Sequence, residues 1–141
     1  MGITGKLRED HDALLGLVGM FRDILRQPVA PTGVDLVKFR SAFSKELLAH
    51  LTREDWLLYP SLLQSSDKVI AGTAQKFIDE MGGLLGAYKL WSAEWPTERI
   101  IGNWQIFVTE TSDLLGALEQ RIDRENNELY PLVETVIVKA A

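Results

Sequence analysis

With 141 residues, 46% of them hydrophobic and 25% charged, the chain has the size and balance of one globular domain (1–141) with a single core. A formal net charge of −5 argues against the clustered basic surface of a nucleic-acid groove, and no apolar run is long enough to span a bilayer. The absence of cysteine excludes disulfides, thiolate metal sites and thiol chemistry together.

The first residues carry no apolar signal region, and Lys6 stands where a myristoylation sequence needs Ser or Thr. A cytoplasmic protein is the expectation. Helix 1 is predicted from Gly5 to Arg26, where Leu7, His11, Leu14, Val18, Phe21 and Leu25 repeat at the 4-3-4-3-4 spacing of a bundle core. Residues 27–33, with two prolines and a glycine, read as a loop. Helix 2 is expected from Val34 to Leu63, with Phe43, Leu47, His50, Glu54, Leu57 and Ser61 facing inward. Pro60 should bend it, since proline lacks an amide donor.

Ser65, Ser66 and Asp67 form an N-cap cluster for helix 3, expected from Asp67 to Trp91. Its inward line is Ile70, Ala74, Phe77, Met81, Leu84, Tyr88 and Trp91. Gly82, Gly83 and Gly86 interrupt this helix at about 1 kcal/mol each relative to alanine. That cost points to close approach of another helix, or to a small void beside the core. Residues 92–97 form a turn, with Thr97 a cap. Helix 4 is expected from Glu98 to Val138, along Ile100, Trp104, Phe107, Thr111, Leu114, Leu118, Arg121, Glu125, Glu128 and Leu132. Pro131 should bend it. Trp56, Trp91, Trp95 and Trp104 read as packing residues, and Asp123, Arg124, Asn126 and Asn127 as a solvated face.

Helices 2 and 4 share a frame. Arginine at 53 and 124, glutamate at 54 and 125, and Leu-Tyr-Pro at 58–60 and 129–131 recur at one fixed offset. His50 heads the first copy and Arg121 the second. Side chains four apart lie on one side of a helix, so His50 and Glu54 look the same way, as do Arg121 and Glu125. Four amphipathic helices with short loops make an all-α, up-down-up-down antiparallel four-helix bundle. Antiparallel neighbours then bring His11, His50, Glu54, Arg121 and Glu125 to one layer.

Arg8-Glu9-Asp10-His11-Asp12 in helix 1, His50-xxx-Glu54 with Leu58-Tyr59-Pro60 in helix 2, and Glu125 with Leu129-Tyr130-Pro131 in helix 4 resemble the hemerythrin family in its bacterial HHE form. The resemblance covers nearly the whole chain. It implies a non-haem di-iron centre in a four-helix bundle, serving oxygen binding, iron handling or redox sensing. Matched by residue, His11, His50, Glu54 and Glu125 fill family ligand positions. Arg121 stands where a helix 4 histidine belongs. Helix 3 has no histidine, so Met81, Leu84 or the adjacent glycines occupy that ligand's place.

Arginine cannot donate a lone pair and stays protonated. The preferred reading is that Arg121 pairs with Glu54 or Glu125, or bridges both, in place of the lost metal charge. On it the protein has no cofactor and acts as a sensing, partner-binding or structural module, with an unknown protein or small ligand as partner. The alternative is one metal ion, non-haem iron or zinc, or dioxygen chemistry, on His11, His50, Glu54 and Glu125. A third expectation is a small-ligand pocket beside Gly82, Gly83 and Gly86. With no nucleophile beside a base, the chain is not expected to be an enzyme.

Overall fold

The computed structural model describes residues 2–140, with side chains described for residues 3–135. The first rod is α1, Gly2–Leu25. The second joins α2 (Gly33–Arg53), a π segment (Glu54–Leu58) and α3 (Tyr59–Leu63). The third joins α4 (Lys68–Met81) and α5 (Leu84–Glu94). The fourth joins α6 (Thr97–Gly102), α7 (Trp104–Arg124), a second π segment (Glu125–Leu129) and α8 (Tyr130–Ala140). Among the described residues none is in a strand, and no helix is long and apolar enough to cross a membrane.

Caps fix the starts of the second and third rods. The Thr32 hydroxyl accepts from the Asp35 amide, and the Asp67 carboxylate accepts from the amides of Val69 and Ile70. Asp67 is therefore the working member of its polar cluster. Thr97 is not a cap: Pro96 holds that position in extended conformation, and Thr97 opens α6. Helix 4 is also not continuous, because Asn103 leaves the helical region between α6 and α7.

Pairings along the rods show that neighbours run antiparallel, as the up-down-up-down expectation requires. In α1, Arg22 pairs with Glu119 while Arg8 pairs with Glu134. Phe21 meets Phe43 of α2, and Asp10 meets His50. Trp91 bonds Thr111, and Met81 meets Arg121. The expected core lines of helices 1 and 3 bury as written, apart from Met81, which is half-buried.

The lines of helices 2 and 4 hold only as far as Glu54 and Glu125. Beyond them Leu57 and Ser61 are exposed, not inward, and Leu58, Tyr59 and Leu62 are buried. Likewise Glu128 is exposed and Leu132 half-buried, while Leu129, Tyr130 and Val133 are buried. Each π segment absorbs one extra residue and shifts the inward face by one. In both, the Tyr amide reaches five residues back, Tyr59 to the Glu54 carbonyl and Tyr130 to that of Glu125. The prolines are the cause in sequence. A ring that crowds the carbonyl four residues back, on a residue with no donor, is accommodated by widening the turn before it.

Two further expectations change. Trp56 is 71% exposed and packs in no core, unlike Trp91, Trp95 and Trp104. Among the described residues nothing packs where a Cβ on Gly83 or Gly86 would sit, and a Cβ on Gly82 would meet the Ile78 carbonyl of its own helix at 2.5 Å. Grooves do lie there, about 400 Å³ at Gly82 and about 230 Å³ at Gly83.

The apolar core is in two parts. One runs from Leu14 and Phe21 through Phe43, Trp91, Phe107 and Ile122; the other gathers Leu7, Leu58, Phe77, Leu129 and Val133. Between Leu7 and Leu14, Leu47 and Leu58, and Leu118 and Leu129 lies a layer of buried polar side chains.

Candidate metal centre

That layer holds the five residues picked out in the sequence. His11, His50, Glu54 and Glu125 are all buried, and each offers a ligand atom lying within 4.8 Å of the others. Arg121, 2% exposed, enters between the carboxylates. Its Nε donates to Glu125 Oε2 (3.2 Å) and its Nη2 to Glu54 Oε1 (3.3 Å), so it bridges both. The same Nη2 donates to Asp55 Oδ1 at 2.6 Å, and Nη1 to the Met81 carbonyl at 3.4 Å.

The tyrosines cross. Tyr59, from the helix 2 frame, donates to Glu125 Oε2 (2.6 Å), and Tyr130, from the helix 4 frame, donates to Glu54 Oε2 (2.6 Å). In an α-helix a residue five along points well away from its starting face; the π turns bring each Tyr back toward the side of its own Glu. Each then reaches the other copy's carboxylate.

Both imidazoles are oriented from behind. His11 Nδ1 lies 2.7 Å from Asn126 Oδ1, and His50 Nδ1 lies 3.1 Å from Asp10 Oδ2; Arg53 contacts that same oxygen and Lys6 the other oxygen of Asp10. With these acceptors outside, each Nδ1 carries the proton and each Nε2 turns inward. His11 Nε2 lies 3.0 Å from Glu125 Oε1, and His50 Nε2 lies 2.9 Å from Glu54 Oε1. The second contact is close but out of line for a hydrogen bond, so among the described residues His50 Nε2 is a buried polar atom without a hydrogen-bond partner. A lone pair facing a carboxylate at that range needs a proton or a cation between them.

The electrostatics follow from this crowding. Burial alone would raise Glu54, but His50 and Arg121 outweigh it and hold Glu54 down at about 2. Burial and the charge of Glu54 push Glu125 upward. Burial disfavours the charged form of His50, yet Glu54 and Asp10 prevail and raise its pKa. Burial also opposes the charge of Arg121, and Glu125, Glu54 and Asp55 overcome it. Tyr59 and Tyr130 are pushed up by burial and the two carboxylates, which keeps them neutral donors.

Sequence alone points to five residues of this layer and to Met81 as the vacated helix 3 ligand position; five more residues complete it. Tyr59 and Tyr130 had a visible signal, a recurring Tyr-Pro five residues after each glutamate, but an α-helical period places them off the site. Asp10 and Asp55 sit beside named residues, and nothing in sequence separates them from surface acids. Asn126, read as solvated, instead holds His11. Met81 contributes a backbone carbonyl, invisible to side-chain patterning. The offset that carries Glu54 to Glu125 carries Asp10 to Met81 and His11 to Gly82. Asp10 backs His50 as Met81 backs Arg121, and Gly82 has no side chain where His11 has its ring.

This donor set fits one divalent ion, through His11, His50, Glu54 and Glu125 once the guanidinium leaves the carboxylates. The unpartnered His50 Nε2 and the two anchored Nδ1 atoms are features of such a ligand set. It does not fit two ions: two imidazoles and two carboxylates are too few, and Arg121 already engages both carboxylates.

Comparison with known proteins agrees with the geometry. The family model described as Hemerythrin HHE cation binding domain matches residues 2–133. The chain is 28% identical over 109 residues to the iron-sulfur cluster repair protein YtfE of Cronobacter sakazakii, covering 74% of this chain and 48% of that protein. It is 26% identical, over 74% of its length and 49% of theirs, to the proteins of the same name from Salmonella paratyphi B and Salmonella newport. The chain thus spans about half the length of the curated relatives it matches. No solved structure matches it.

Proposed function

The chain belongs to the hemerythrin family, in its HHE cation-binding form, and from that premise we propose that its di-iron centre has been replaced by an internal ion-pair cluster. The domain then works as a metal-independent sensing, partner-binding or structural module. One observation carries this reading: the buried guanidinium of Arg121 bridges Glu54 and Glu125 and is tied outward to Asp55. Removing two carboxylates from water costs several kcal/mol per ion unless charge and hydrogen bonds offset it. Arg121, Tyr59 and Tyr130 supply that offset here without an ion. The role is non-enzymatic and cytoplasmic. The iron-sulfur cluster repair named for the relatives belongs to proteins about twice as long, and we carry over from it only a place near iron metabolism.

A second reading is favoured by His50 Nε2, which is buried, inward and unpartnered. On it, one ferrous or zinc ion is held by His11, His50, Glu54 and Glu125, and Arg121 turns toward Asp55 and the groove. Such an ion would supply Lewis acidity and, for iron, a redox couple. Metal analysis of protein purified without chelator, together with melting curves in EDTA, decides between them. Substoichiometric metal and a melt indifferent to EDTA support the first reading. One ion per chain with a melt lowered by EDTA overturns it in favour of the second. Two irons with a visible oxo-bridge band would reject both.

A further inference from the structure

A recess of about 610 Å³ lies away from the polar layer, between α2 and the turn joining α5 to α6. Arg40 and Trp95 line it with Ser41, Ser44 and Ser92. On α2, Arg40 is ten residues before His50, about 15 Å at 1.5 Å per residue, so this is a separate site. The chain has eight arginines. Six of them, Arg8, Arg22, Arg26, Arg53, Arg121 and Arg124, make ion pairs with carboxylates.

Among the described residues the remaining two, Arg40 and Arg99, both end at the Trp95 turn. Arg40 donates to the Trp95 carbonyl and lies 4.8 Å from the Trp91 ring centre. Arg99 donates to the Glu94 carbonyl and lies 4.0 Å from the Trp95 ring centre. Capping the end of α5 explains where these cations sit. Among the described residues it leaves most of the five N–H donors of Arg40 without a partner on the wall of the recess. Burial lowers the pKa of Arg40, and no carboxylate stands against that effect.

We propose that this recess binds a small monocarboxylate bearing an apolar tail, with the carboxylate on Arg40 and the nearby serine hydroxyls. Val37, Trp95 and Pro96 form the apolar wall for the tail. Glu98, the one acid among the lining residues, makes the recess unfavourable for a more highly charged anion such as phosphate. An arginine fork matches a carboxylate in bidentate fashion.

Titration of the full chain with phenylacetate, acetate and inorganic phosphate, followed by calorimetry and indole N–H chemical shifts, tests the assignment. Phenylacetate should bind saturably and shift the Trp91 and Trp95 indole signals. Acetate, lacking the apolar tail, should bind about tenfold or more weaker, and phosphate no better than acetate. Arg40→Gln should weaken phenylacetate by about tenfold or more. Ser41 is exposed, so Ser41→Glu should fold normally, place a carboxylate in the recess and weaken binding similarly. It serves as the test if Arg40→Gln does not fold. Absence of saturable binding, tighter binding of phosphate, or unchanged affinity in Ser41→Glu would overturn the proposal.

Discussion

Arg121 concentrates the chemistry of the polar layer in one side chain. If it compensates Glu54 and Glu125, then Arg121→Met in metal-free buffer should cost about 3–5 kcal/mol, the range for breaking a buried ion pair from one side. Urea denaturation measures this, and a loss below about 1 kcal/mol would show that the carboxylates find another partner. The inherited ligand geometry can be probed from the opposite direction. Arg121→His combined with Met81→His or Leu84→His should raise iron uptake per chain. Failure of both double variants would mean that the metal-holding geometry has gone with the ligands. At this scale the sequence was most legible where a residue type is chemically restrictive: a histidine or an arginine on an apolar line has few roles. It was least legible for Asp10, Asn126 and Asp55, whose types are ordinary on a surface and whose roles depend on which helix packs across from them.

At the scale of the element, the two π segments determine what the site contains. Helical periodicity located the four rods, and its lines on helices 2 and 4 bury as far as Glu54 and Glu125, although Leu36, Leu51, Leu115 and Ile122 are buried beside those lines. It failed one residue later in both copies, because a 3.6-residue period cannot represent a widened turn. The recurring proline marked the place, and the hydrogen-bond shift that answers it belongs to the folded backbone. The glycines of the third rod divide in a similar way. Gly82→Ala should destabilise by about 1–3 kcal/mol, since its Cβ meets the Ile78 carbonyl. Gly83→Ala, with open space around it and an ordinary negative φ, should be neutral or stabilising by about 0.5 kcal/mol. Thermal melts of the two variants check the contrast, and equal effects would place the α4–α5 break elsewhere.

For the whole molecule, a polar layer between two apolar clusters links folding to proton uptake. His50 has a raised pKa in the folded state. Its stabilising contribution is therefore full below the unfolded value of about 6.5 and is lost as pH rises through the folded value. Glu125, also raised, acts in the same sense, since the folded state binds its proton more readily than the unfolded chain. Glu54, held down at about 2, stabilises above its unfolded value near 4.3 and loses that contribution as pH falls toward 2. Metal-free protein should accordingly melt higher at pH 6 than at pH 8, and lose stability below about pH 4. His50→Gln should flatten the upper part of that profile. A melt that falls between pH 8 and pH 6 would contradict the protonation scheme.

Amphipathic periodicity and a duplicated frame were enough to determine an antiparallel all-α bundle and to bring His11, His50, Glu54, Arg121 and Glu125 to one depth. The first is written every three or four residues, and the second in two short stretches, 50–60 and 121–131, each legible by itself. Packing alone decided that Arg121 bridges both carboxylates, that each tyrosine serves the other copy's glutamate, and that Asp10 and Asn126 orient the imidazoles. Apart from Arg121 to Glu125 on one helix, those contacts join residues tens of positions apart, and their geometry depends on backbone widening and helix placement that no single stretch encodes.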